Sequence, residues 1–404
     1  MSHRPWLLIL VLAAVGCLQP MDPATADVAA VRATVGDAGF TADTIQVRGT
    51  TRVHAVALAS SGYDLGLSDF RFTSSNPSVA EVDANGTVRG IAPGTATITA
   101  TAPRGNRSAT VAILVVPSTI AYTIPVGSAP GAIAFSPDYT RAYVATAGDS
   151  VVVLDALGFF RAAAVDLGAG IHSLAATSNA LYATHFAIDS VGRVATASSQ
   201  RLARAFLGAG PAGAVSANGR AYVAAAFDRR LAVVDGAGST SFVAIGGEPH
   251  DLARSGTGKV VAATVRTASG WRVALVSTET NDTTGSFPVE PAPTALALDA
   301  SGDAVYLLYP AERLMRMYRR GNGGWALVGS VQTGASPGGI AARHVGRIPY
   351  VVISGEPTLV VDGVTLAVYD RIENAGTGPV AIRPDGLFAF VAAPAANAVR
   401  VIGL

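Results

Sequence analysis

Cysteine is all but absent: one residue in 404, Cys17. That excludes intramolecular disulfides, cysteine-clustered zinc sites, thiolate-ligated iron–sulfur clusters and haem attached through C-x-x-C-H. Lysine is as scarce, with Lys259 alone, which argues against Schiff-base chemistry and leaves arginine as the cation in quantity. Charge of either sign is thin, at 14% of residues with a net +1. Nothing in the chain therefore steers a phosphate backbone, and no nucleic-acid partner is expected. There is no H-E-x-x-H pair or Walker A loop, and no cofactor is expected either. What is present is apolar: half the residues are hydrophobic, with 44 glycines and 22 prolines. This describes a core of Ala, Val, Leu and Ile punctuated by turns, the composition of an all-β protein, in a chain too long for one ordinary core.

The first sixteen residues place Arg4 ahead of an unbroken apolar run, Trp6 to Val15, that ends in small residues. The run is too short to span a bilayer, which needs about 20 residues, and reads as an export signal. Its ending, Ala14-Val15-Gly16-Cys17, resembles the bacterial lipobox. That resemblance implies cleavage before Cys17, lipidation of its thiol and a membrane-anchored mature chain. Leu18 follows where the resemblance implies that the absence of Asp permits sorting to the outer membrane. The chain is thus expected to be exported to the cell envelope, facing the periplasm or the surface, with residues 17–27 as a lipidated tether.

From about residue 28 to 116, short alternating runs such as Val53-His54-Ala55-Val56-Ala57-Leu58 and Thr95-Ala96-Thr97-Ile98-Thr99-Ala100 are broken by Gly, Asn and Pro, the pattern of strands with one wet face. Asn85-Gly86 supplies the positive φ a tight hairpin needs, and Pro93 fixes φ before Gly94. The stretch from Ser74 to Ala96 resembles the bacterial Ig-like group 2 domain, which implies a β-sandwich used for adhesion, spacing or presentation.

Residues 118–404 repeat. Anchors at Pro130, Ile171, Pro211, Pro249, Pro293, Pro337 and Pro379 recur roughly every 41 residues, the length of one four-stranded propeller blade. Each is followed by a turn and a second apolar strand centred on Tyr143, Tyr182, Tyr222, Val261, Tyr306, Tyr350 or Phe390. Seven copies can close a ring. The last copy has three strands, and Thr119–Ile124 is an orphan ahead of the first anchor, so the orphan is predicted to complete the last blade and remove both exposed edges. The units Ile133-Ala134-Phe135-Ser136-Pro137-Asp138 with Ala142-Tyr143-Val144-Ala145, and Ile382-Arg383-Pro384-Asp385-Gly386 with Phe390-Val391-Ala392, resemble the YVTN family of β-propeller repeats. The resemblance implies a fold and no particular activity, because it carries no catalytic set. The expected architecture is all-β: an Ig-like β-sandwich followed by a seven-bladed β-propeller.

In such a meander one end collects the longer loops. That end is expected to carry His185, Asp189, Phe227, Asp228, Arg229, Arg230, Trp271, Glu312, Arg313 and Glu356, aromatic and charged side chains of the kind recognition surfaces use. At the channel mouth, His172 and His250 occupy the same repeat position, with Glu248 and Asp251 beside the second. Two imidazoles so placed could share a metal or supply a general base, although alternate blades are not neighbours and no metal is expected. The sequence thus favours a lipid-anchored envelope protein, working as a monomer, whose sandwich presents a propeller to a protein or glycan partner. The alternative is an envelope hydrolase or oxidoreductase, lactonase-like or quinoprotein-like, with its site at the channel mouth.

Overall fold

Nine four-stranded antiparallel sheets make up the structure, a computed structural model that describes residues 26–404 apart from 37–42, 48, 93, 117–118, 169 and 345–348. The leader, Cys17 and the tether as far as residue 25 lie outside the described residues, as does the Val345-Gly346 turn of the sixth repeat. There is no α-helix among the described residues, and none is long and apolar enough to cross a membrane.

The chain divides into two compact units. The smaller contains two sheets. One orders Ala30–Val35, Thr50–Leu58, Thr87–Gly90 and Ala80–Val82; the other orders Thr44–Gln46, Ser108–Val116, Gly94–Thr101 and Arg71–Ser74. Alternation decides which residues face inward: Ala96, Ile98 and Ala100 are buried on one strand, and Val53 and Ala57 on another. The Asn85-Gly86 turn forms as expected, with Asp83 Oδ1 accepting from the Asn85 and Thr87 amides at 2.9 and 2.8 Å. Gly86 has φ +79°, and a Cβ there would run into the Val53 carbonyl.

The larger unit is the seven-bladed propeller. Its innermost strands are Pro130–Phe135, Ile171–Ala176, Pro211–Ala217, Glu248–Arg254, Ala295–Leu298, Ile340–Ala342 and Val380–Ile382. Six blades are consecutive meanders. The seventh joins Val380–Ile382, Phe388–Ala393 and Ala398–Gly403 to Ile120–Pro125, whose Tyr122 pairs with Val401 and Ile124 with Val399. The orphan strand thus closes the ring. The bulky residue at the centre of each second strand lies between blades, and all seven, from Tyr143 to Phe390, are at most 3% exposed. Burial of these side chains against neighbouring sheets is the main stabilising term, about 1.5–3 kcal/mol for each large apolar group.

Polar ties then set one blade against the next. Where the third strand ends in acid, the carboxylate caps the following turn: Asp155 accepts from Leu157 and Gly158, Asp235 from Ala237 and Ser239, and Asp362 from Val364 and Thr365. The preceding blade reaches the turn after the third strand, whether or not an acid caps it. Arg220 donates to the Thr278 carbonyl at 2.9 Å, Tyr222 to Asn281 at 2.9 Å and Tyr306 to the Gly363 carbonyl at 2.6 Å. Arg383 of the last blade donates to the Ala156 carbonyl of the first at 2.7 Å, which ties the closure.

Candidate functional site

The innermost strands surround a cavity of about 960 Å³, at the upper end of the range for small-molecule sites. Its wall is built mainly from small and aliphatic side chains, because every blade presents an Ala- or Val-rich strand to the axis. Four ionisable groups among the described lining residues break that pattern on the fourth and sixth blades: His250, Asp251, Arg254 and His344. His172 on the second blade is a fifth.

A bulge at the start of the innermost strand governs how these side chains point. In the first four blades the pairing with the second strand shifts beside the anchor, between Pro130 and Ile133, Ile171 and Ser173, Pro211 and Ala214, and Pro249 and Leu252. A bulge leaves an amide without its ladder partner. In the second and fourth blades a threonine hydroxyl on the second strand accepts it: Ser173 N donates to Thr184 Oγ1 and Asp251 N to Thr264 Oγ1, both at 3.0 Å. The bulged side chain turns to the next blade. Ser173 Oγ accepts from the Ala214 amide at 3.0 Å, and Asp251 Oδ2 from the Leu296 amide at 3.2 Å. Asp251 is therefore a strut between the fourth and fifth blades, equivalent to Ser173 between the second and third. Burial pushes its carboxyl up to about 6, with the Leu296 and Leu252 amides opposing that rise.

At the mouth, His172 and His250 both line the cavity, on the second and fourth blades. Burial lowers both imidazoles, and each has one further influence acting the other way: a hydrogen bond with the Ala212 backbone for His172, and the Glu248 charge for His250. The oxygen ligands suggested for them are engaged elsewhere. Glu248 pairs with Arg266 at 3.4 Å, and Asp251 holds Leu296. Among the described residues no group of three or more His, Cys, Asp or Glu side chains is placed to hold a metal ion. His250 instead packs on Trp271, ring centroids 4.9 Å apart, and its Nε2 is buried without a hydrogen-bond partner.

The loop end differs from expectation in two places. His185 is the last residue of Ala180–His185 and only 1% exposed, so it belongs to the packed interior of its blade and presents nothing at the surface. Trp271 lines the cavity mouth from the start of the third strand of its blade, where its ring packs on His250. Several of the other residues hold the loops together. Asp189 Oδ1 accepts from the Gly210 amide at 2.7 Å, Asp228 Oδ2 from the Ala209 amide at 3.2 Å, and Asp228 also pairs with Arg230 at 2.9 Å. Arg230 lies over the Phe242 ring at 3.8 Å. Glu312 pairs with Arg316 at 2.6 Å, and Glu356 accepts from the Asn374 amide at 3.2 Å. Arg229 and Arg313 are exposed at left-handed turn positions.

These contacts gather an apolar patch beside the mouth. Phe186 lies 5.3 Å from Phe227 and 6.3 Å from His172 between ring centroids. Gly210, held by Asp189, sits against the Phe227 ring. Phe227, Ile188 and Phe206, all from this set of loops, are 61%, 57% and 69% exposed. Sequence reasoning missed Ile188 and Phe206 because single exposed apolar residues carry no pattern. It also missed Arg254 and His344 at the opposite end. Arg254 did leave a signal: it stands five residues after its anchor, where the other copies carry Phe135, Ala176, Ser216, Leu298, Ala342 and Pro384.

Residues 40–113 match the family model of the bacterial Ig-like domain (group 2). Two solved structures share the fold of the larger unit. One is Kuenenia stuttgartiensis hydrazine synthase, 20% identical, with a TM-score of 0.59, covering 68% of this chain and 96% of that one. The other is the Myceliophteria thermophila Cps50 (Swd1) β-propeller domain, 13% identical, with a TM-score of 0.57, covering 71% and 100%. At these identities the likeness is one of fold alone. No curated protein matches the sequence.

Proposed function

We propose that this chain is a binding protein of the bacterial cell envelope: lipidated at Cys17, it uses its Ig-like unit (residues 28–116) as a stalk and its propeller (118–404) as the receptor. The observation that carries the binding role is the exposed trio Ile188, Phe206 and Phe227 on loops fastened by Asp189 and Asp228. Apolar side chains held in the open on hydrogen-bonded loops are what an interface uses. Exposed aliphatic and phenyl groups on these loops favour a protein partner over a glycan. Envelope placement is supported by the apolar leader ending at Cys17 and by the bacterial Ig-like match.

A photocrosslinking residue in place of Phe227, carried on the full chain in its own cells, should capture one defined protein. The same residue in place of Leu387, an exposed turn residue at the other end of the ring, should capture none. Equal labelling at both positions would sink the reading, and a protease-resistant adduct would move it to a glycan. Cys17→Ala should release the chain from the membrane fraction; a variant that stays bound would remove the anchor. The competing reading, an envelope hydrolase or oxidoreductase at the channel mouth, rests on His172 and His250. It is weakened by the engagement of Glu248 with Arg266 and of Asp251 with Leu296.

A further inference from the structure

The cavity is chemically asymmetric. Towards its mouth are His172, His250, Asp251, whose carboxyl is tied to the Leu296 amide, and Trp271, and the rest of the wall is mainly aliphatic. Near its other end lies Arg254, the last residue of its strand and an arginine in the cavity wall. Burial disfavours its charged form. None of the ion pairs among the described residues involves it. His344, from the sixth blade, lies close enough for Arg254 to disfavour its protonation, and it has a buried Nδ1 with no hydrogen-bond partner. Asp299 acts on His344, and its oxygens accept from Ser301, Gly302 and Ala304. A partly buried guanidinium outside any ion pair carries a desolvation cost. A bound anion would offset that cost, and the planar fork suits a carboxylate or a phosphate.

The wall between the two ends specifies the rest of such a ligand. Ile133, Val215, Val380 and Ile382 all line the cavity and are only partly buried by the protein. They present apolar surface that a ligand body would cover. We propose that the channel is a binding site for an amphipathic anion, with a carboxylate or phosphate head held by Arg254 near His344 and an apolar body along the aliphatic wall. This goes beyond capture of a partner at the rim and does not depend on it.

The test titrates decanoate, decyl phosphate and decanol into the full chain, read by calorimetry and by the fluorescence of Trp271 with Trp271→Phe as the blank. One saturable site for decanoate or decyl phosphate, with decanol bound on the order of tenfold or more weakly, is expected for a charge-assisted head contact. The two acids separate carboxylate from phosphate recognition. Arg254→Met should abolish the preference over decanol. Arg254→Lys, which keeps the charge and loses the fork, should retain part of it, and it serves as the readout if the methionine variant fails to fold. Partner capture from position 227 and decanoate titration are separate readouts, so failure of the rim reading and failure of this one are distinguishable. Decanol binding as tightly as decanoate, no saturable binding of either acid, or an unaltered preference in both Arg254 variants would overturn the proposal.

Discussion

Asp251 and His344 line one cavity and respond to pH in opposite directions. The Asp251 carboxyl is raised from 3.8 to about 6, chiefly by burial. Its contribution to stability is fully present below 3.8 and is lost as pH rises through about 6. His344 is lowered from 6.5 to about 4, by burial first and then by Arg254. Its contribution is present above 6.5 and is lost as pH falls through about 4. Each displacement corresponds to about 3 kcal/mol, so between pH 4 and 6.5 the two slopes nearly cancel. Asp251→Asn, which keeps an oxygen for the Leu296 amide, should therefore show stability rising with pH across that window. His344→Gln should show it falling. Urea unfolding at pH 4, 5, 6 and 7 measures both; profiles parallel to wild type would mean that neither group is displaced. The two residues also mark what was legible in the sequence. Asp251 stood out by its place beside His250, yet its role as a strut was hidden, because spacing along a strand does not say toward which neighbouring blade a bulged side chain turns.

At the scale of the strand, the bulge that aims Asp251 also sets how closely two blades approach. Gly213 stands at the position of Ser173 and Asp251, two residues after its anchor. A Cβ there would come within 2.5 Å of the His250 carbonyl oxygen and 2.9 Å of the Asp251 Cα. Those are backbone atoms that cannot swing aside. Gly213→Ala should cost about 1–3 kcal/mol through overpacking at the seam of the third and fourth blades. Gly285→Ala, on the outermost strand of the fourth blade with nothing within 4 Å, should change stability by no more than about 0.5 kcal/mol. Equal urea midpoints for the two variants would remove close approach as the reason for glycine at 213. Strand order was readable because turn residues and apolar runs recur in register with the blade. The closing strand was readable because one copy lacked a strand and one strand lacked a copy. The hydrogen bonds from one blade to the next were not, since Arg220, Tyr222 and Tyr306 meet their partners between 57 and 59 residues away.

At the scale of the molecule, each unit buries a core of its own. Ala57, Leu65, Phe70 and Ala100 form one cluster in the smaller unit, while Val399, Val401, Phe390 and Val144 close the ring in the larger. The chain is therefore expected to unfold in two calorimetric transitions. Ile98→Ala, at a site with no exposure in the smaller unit, should lower one transition by about 2–5 kcal/mol and leave the other in place. Val401→Ala should do the reverse. A single transition moved by both variants would show the two units to be one cooperative body.

The sequence by itself determined the fold class, the number of blades and the identity of the closing strand. These follow from local rules, two-residue alternation and turn chemistry, repeated often enough to be counted. Only the tertiary structure decided which side chains share a space. It withdrew His185 into a blade, set Asp251 to bracing and Glu248 to pairing with Arg266, left Ile188, Phe206 and Phe227 exposed on the loops, and placed Arg254 in the channel wall outside the ion pairs among the described residues. The reason is physical: direction along a strand is written in neighbouring residues, whereas proximity across a ring depends on where seven sheets come to rest against one another.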